Sequence, residues 1–207
     1  MAMRRLRQDL GFSDIERVDL LKAWALTSLA FAIFFLRAGF IEGGATLTGF
    51  AAVFAVAAVT GGIGFLLHEI GHKVAAHRYG VHGEFRSHDT MLLVSLVLAA
   101  VGFLFAAPGA VWLVGPVGRR ESGVIAAAGP IVNMLLALCF LPLAISATGF
   151  LGLIGSIGLL LNALLGAFNL IPFPGFDGEK ILRWSGWWYA ALVLLGGAIL
   201  FGAYGFA

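Results

Sequence analysis

Residues 43–72 read GGATLTGFAAVFAVAAVTGGIGFLLHEIGH. From Gly43 to Leu67 this stretch has no ionisable side chain, and it then places His68, Glu69 and His72 within five residues. About 20 apolar residues at 1.5 Å rise each cross a bilayer, so the run reads as a membrane-spanning helix. Ionisable groups at that depth are costly and mark function. Residues four apart on a helix lie one above the other, so both imidazoles can reach one point and share a metal. Glu69 projects about 100° away and can hold a water on that metal, the arrangement that H-E-x-x-H gives zinc hydrolases.

The rest of the chain agrees with a membrane setting. Of 207 residues, 60% are apolar and 12% charged, and mean hydropathy is +0.98; soluble domains carry about a quarter charged residues. Net charge is +2, too small a total for a nucleic-acid surface, so no nucleic-acid partner is expected. The single cysteine, Cys139, lies in an apolar run and reads as a small hydrophobe. Further runs free of Asp, Glu, Lys and Arg cover 90–118, 122–176 with room for two crossings, and 184–207; a first span over 23–41 carries only Arg37. Ser13 and Glu16 have capping-box spacing and predict a helix start that feeds this span. Its apolar part is too long for a signal-peptide h-region. Gly61, Gly62, Gly64, Ala57 and Ala58 suit close helix packing.

Lys and Arg collect before the first span, at 73–89, at 119–120 and at 180–183. If 90–118 enters and returns, with Pro108-Gly109 as its turn, all four clusters share the cytoplasmic face, as the positive-inside rule asks. An ordinary sixth crossing is the alternative. The expected fold is therefore an all-α polytopic membrane protein. It has five to six transmembrane helices, with a re-entrant or strand-like segment between the HExxH helix and the next core helix. Residues 1–45 form an N-terminal segment and first helix, 46–183 a core, and 184–207 a C-terminal helix. Lys73, His77 and Arg78 are taken to mark where the second span leaves the hydrocarbon, with the active site close below the cytoplasmic face.

Two imidazoles leave a catalytic zinc one protein ligand short. His77 is badly phased, and His82, Glu84, His88 and Asp89 fall in a segment read as a polar, solvated loop. The better candidate is Asp177. It follows Asn169-Leu170-Ile171-Pro172-Phe173-Pro174-Gly175-Phe176, where prolines and glycines interrupt the helix, and two crossings within 122–176 return it to the face of His72.

Three motifs in this order resemble the site-2 protease family of intramembrane zinc metalloproteases. They are the HExxH helix, Ala128-Gly129-Pro130-Ile131-Val132-Asn133, and Asn169 through Asp177-Gly178. The resemblance implies one zinc per chain on His68, His72 and Asp177, Glu69 as general base, and Asn133 and Asn169 at the site, contacting substrate or oxyanion. It also implies a strand-like segment at 108–114 and hydrolysis of peptide bonds in or near transmembrane segments. The expected partners are transmembrane protein or peptide substrates and the lipid bilayer. Gly175 departs from the family pattern, which often has a second proline there, and 90–107 is longer and more apolar than in simple members. A zinc transporter would carry more ligands along a path, and a silent scaffold would have lost a ligand or the base; here all four residues are present.

Overall fold

The computed structural model describes residues 11–37, 46–105 and 108–206. The expected end of the first span at 38–41, the start of the next run at 43–45 and the basic residues Arg4, Arg5 and Arg7 lie outside them. The first helix, α1, spans Asp14–Arg37. The HExxH span is one rod built from α2 (Leu47–Ala57), a wide π-helical turn (Ala58–Gly62) and α3 (Ile63–Arg78). Then come strand β1 (His82–Ser87), α4 (Asp89–Ala100), strand β2 (Gly109–Val114), α5 (Arg119–Ser146) and α6 (Gly149–Asn169). The chain closes with α7 (Asp177–Trp184) and α8 (Gly186–Ala203). Among the described residues five helices are long and apolar enough to cross a membrane: Asp14–Arg37, Leu47–Arg78, Arg119–Ser146, Gly149–Asn169 and Gly186–Phe206.

Among the described residues the run 90–118 holds no helix long enough to be a sixth span. Its helix α4 has 12 residues, about 18 Å at 1.5 Å each, and the chain then turns into β2, which pairs antiparallel with β1 so that Phe85 faces Val111. The segment 82–87, read as a solvated loop, is thus half of a two-stranded ribbon, with Phe85 buried on its inner face. Two further expectations change. Ser13 Oγ does accept the Glu16 N–H at 3.1 Å, but the Glu16 carboxylate turns away from the helix start and pairs with Lys73 at 2.5 Å. Lys73 is therefore buried inside the protein against Glu16 and does not reach outward as a boundary lysine would; the helix runs on to Arg78.

Packing follows membrane rules, in which small residues and polar contacts join helices because lipid tails offer no hydrophobic contrast. Side chains of Phe31 and Leu161 press on Gly61, and Trp24 and Ser28 press on Gly62. Trp24 Nε1 donates to the Ala58 carbonyl at 3.1 Å, one of the backbone groups of the wide turn. Around this point Phe31, Phe35, Val56 and Leu161 form the main apolar cluster. A second cluster, with Ile181 fully buried against Ala126, Met134 and Leu192, docks α7 onto α5 and so fixes Asp177 at the α7 start.

Candidate metal centre

Helix α3 presents His68 and His72 toward α5 and Glu69 toward the neighbouring cavity, all three buried. The two helices approach closely because Gly71 faces Ala128 and Val132 without a side chain between them. Asp177 arrives from below at the first residue of α7, where a carboxylate also suits the positive end of the helix. The turn before it needs Gly175, whose φ of +98° is closed to proline and strained for other residues. His68 Nε2 and His72 Nε2 lie 3.0 Å apart, and Asp177 Oδ2 is 3.3 Å from the first and 3.1 Å from the second. These three residues form the group of His, Cys, Asp and Glu that could hold a metal ion among the described residues.

The hydrogen-bond partners fix which nitrogens carry protons. His72 Nδ1 faces the Ile125 carbonyl at 2.8 Å, which can only accept, so Nδ1 donates and Nε2 keeps its lone pair. Asn133 donates through Nδ2 to Gly64 O at 3.2 Å and to Asn162 Oδ1 at 3.1 Å. Its Oδ1 is thereby turned to His68 Nδ1 at 2.6 Å, and His68 adopts the same tautomer. Three electron-pair donors thus converge on one point, which is repulsive unless they share a positive charge. Tetrahedral zinc at about 2.0–2.1 Å from each donor would set them about 3.3 Å apart, close to the spacing observed.

Two more observations fit a metal and its chemistry. A Cβ on Gly129 would lie 2.5 Å from both His68 Nε2 and His72 Nε2, so the absence of a side chain there keeps the space beside the nitrogens open. Glu69 Oε2 is the one buried side-chain oxygen or nitrogen among the described residues with no hydrogen-bond partner, and a buried lone carboxylate oxygen is costly to keep. It faces a cavity of about 100 Å³ that also touches Val111, Ser122, Asn169 and Lys180. A larger cavity of about 600 Å³ also touches Glu69 and extends past Phe65, Met91, Trp112 and Phe173. Asn169 lines both cavities and donates Nδ2 to its own helix at Leu165 O, 2.9 Å. Asn133 also borders the larger cavity, but it is fully buried with its amide committed to His68, Gly64 and Asn162. Asn162 did not stand out in the sequence, although an amide inside the apolar run of α6 is an available signal.

The chain is 39% identical over 150 residues to a protein of Methanocaldococcus jannaschii named "Putative zinc metalloprotease MJ0611", an overlap covering 70% of this chain and 78% of that protein. The chain belongs to the site-2 protease family. Two other curated proteins agree with this membership. A Mycolicibacterium smegmatis protein named "Putative zinc metalloprotease Rip2" is 30% identical over 141 residues, 56% of this chain and 52% of that one. "Zinc metalloprotease MJ0392" of M. jannaschii is 30% identical over 125 residues, 58% of this chain and 31% of that one. No family model and no solved structure matches the chain.

Proposed function

We propose that this site-2 protease family member is an intramembrane zinc metalloendopeptidase that hydrolyses peptide bonds in or near transmembrane segments of membrane-protein substrates. One zinc per chain is held by Nε2 of His68, Nε2 of His72 and the Asp177 carboxylate. The observation that carries the reading is the unpartnered Glu69 Oε2 beside three convergent donors. When bound, zinc supplies positive charge that polarises a carbonyl oxygen and acidifies a water. Glu69 takes one proton of the attacking water and delivers it to the leaving nitrogen, so that water and one peptide bond become a carboxylic acid and an amine, whose remaining acid proton passes on to give carboxylate and ammonium. Asn133 holds His68 in its ligating tautomer, a task distinct from the oxyanion contact that the motif alone suggests. Asn169 keeps its place on the cavity wall and is the better candidate for contact with substrate.

A substrate helix hides its peptide bonds, so it must be locally extended first. Strand β2 pairs with β1 on one edge only, and Gly109, Val111 and Leu113 of β2 border the cavity at Glu69. An extended substrate segment adds to the remaining edge by backbone hydrogen bonds. Water reaches the site through Ser122 and Lys180, which border both the cavity at Glu69 and a charged vestibule formed with Arg119, Glu179 and Arg183. The basic residues at that end favour a cytoplasmic orientation. A transport reading would need further ligands along a path, and the described residues contain one such group. Metal analysis of purified protein, combined with cleavage of a transmembrane test peptide, tests the proposal; zinc-loaded protein that leaves such peptides intact across a varied panel would overturn it.

A further inference from the structure

Ser13 and the first turns of α1 lie along β1 at intervals of three residues. The Ser13 hydroxyl donates to Glu84, Glu16 Oε1 accepts the Phe85 N–H at 3.0 Å and Asp19 accepts from Ser87 Oγ at 2.9 Å; just beyond the strand, Lys22 pairs with Asp89 at the start of α4 at 2.5 Å. Glu16 alone also reaches the metal-bearing helix. Its Oε2 pairs with Lys73 Nζ at 2.5 Å, and Lys73 further donates to Gly11 O at 3.0 Å and stands 4.0 Å above the Phe12 ring. Glu16 is 1% and Lys73 5% exposed, so both charges are fully committed to these partners. Lys73 follows His72 directly, and Phe85 lies opposite Val111, which borders the cavity at Glu69.

We propose that Glu16 is a positioning residue for proteolysis: its carboxylate ties Lys73 on α3 to Phe85 on β1, setting the distance between the metal-bearing helix and the β2 edge on which substrate lies. The inference rests on the strand-addition reading above. Apolar contacts also join these elements, chiefly Phe65 against the Phe85 ring at 5.8 Å, but such contacts are non-directional. A carboxylate that accepts one strand N–H and one ammonium fixes the strand lengthwise as well. Loosening it moves the edge without moving the metal group, so substrate binding suffers and the chemical step does not.

The test uses the full chain in lipid nanodiscs with a transmembrane peptide substrate. E16Q/K73M keeps an acceptor for the Phe85 N–H and removes both charges, avoiding the uncompensated buried charge that either single change leaves. The expected result is unchanged zinc content, retained kcat and KM raised about fivefold, together with faster amide exchange in 82–87 and 109–114. Unaltered KM and exchange overturn the proposal, and so does loss of zinc, which would make the pair part of the metal site's own support. Should that variant not fold, E16D keeps both charges but draws the carboxylate back by one methylene, so that it cannot span Lys73 Nζ and the Phe85 N–H together, and unaltered KM and exchange in 82–87 and 109–114 there overturn it equally. A wild-type chain that cleaves nothing refutes the proteolytic reading alone, because the exchange measurement still decides the tether.

Discussion

Replacing Gly129 by Ala puts one methyl group where the metal chemistry is read most directly. The new Cβ would stand 2.5 Å from His68 Nε2 and from His72 Nε2, about 1 Å inside an ordinary contact of 3.5 Å. Neither ring can step back freely. Each is held from behind, His68 by Asn133 at 2.6 Å and His72 by the Ile125 carbonyl at 2.8 Å. Parting the helices would relieve the clash only by opening the close packing of Gly71 on Ala128 and Val132. Overpacking of this kind costs about 1–3 kcal/mol, and if the metal site takes the strain that converts to a loss of about 5- to 150-fold in zinc affinity. Chelator competition on purified protein measures it, with a thermal melt in parallel. Gly197→Ala is the control, because nothing lies within 4 Å of a Cβ there and alanine suits a helix interior. If Gly129→Ala binds zinc within twofold of both wild type and Gly197→Ala, the imidazoles do not converge as described.

Glu69→Gln is expected to abolish proteolysis while leaving zinc bound, because it removes a proton carrier and no ligand; metal content and peptide cleavage on the same sample check both halves. His68→Ala, His72→Ala and Asp177→Ala should each lower zinc content, and full occupancy in Asp177→Ala would remove that residue from the ligand set. Asn162→Leu takes an acceptor from Asn133 and frees its amide to rotate, so zinc affinity should drop about 10- to 100-fold with the fold retained, read by chelator competition and circular dichroism. Cysteine labelling at 86, 120 and 183, with Cys139 replaced by serine, should find all three on one face of the membrane; position 120 opposite 86 would mean that the ribbon segment crosses.

The spans and the metal group were legible because each depends on local spacing. A charge-free run of sufficient length can cross, and histidines four apart on a helix must meet. Asp177 was legible only through crossing parity and motif order, since nothing in Asp-Gly itself distinguishes a ligand from a turn. The strand β1 was missed for a physical reason. Val81, Gly83 and Phe85 alternate inward, but His82, Glu84 and Arg86 between them gave the segment a polar composition typical of loops, and that outweighed the period of two. Lys73 misled in the opposite direction. A lysine near a helix end normally snorkels to the interface, and its inward course depends on Glu16, 57 positions away. Asn162 and Glu16 share that limit: their roles arise from partners brought by other helices.

The π-helical turn at Ala58–Gly62 winds one more residue into a rod that α geometry would close without it. It therefore acts as a phase shifter within a single span. Upstream, the face of Leu47–Ala57 answers to α1 and α6; downstream, the face of α3 answers to α5 and the metal group. Each half can turn its pattern toward its own neighbours because the extra residue absorbs the mismatch of about 100° between them. Deleting one residue within 58–62 would leave the local composition almost untouched. It would also rotate the outer half of the span away from its partners, or else swing His68 and His72 off the metal axis. Length alone cannot reveal that dependence, since the shortened span would still be long enough to cross the bilayer.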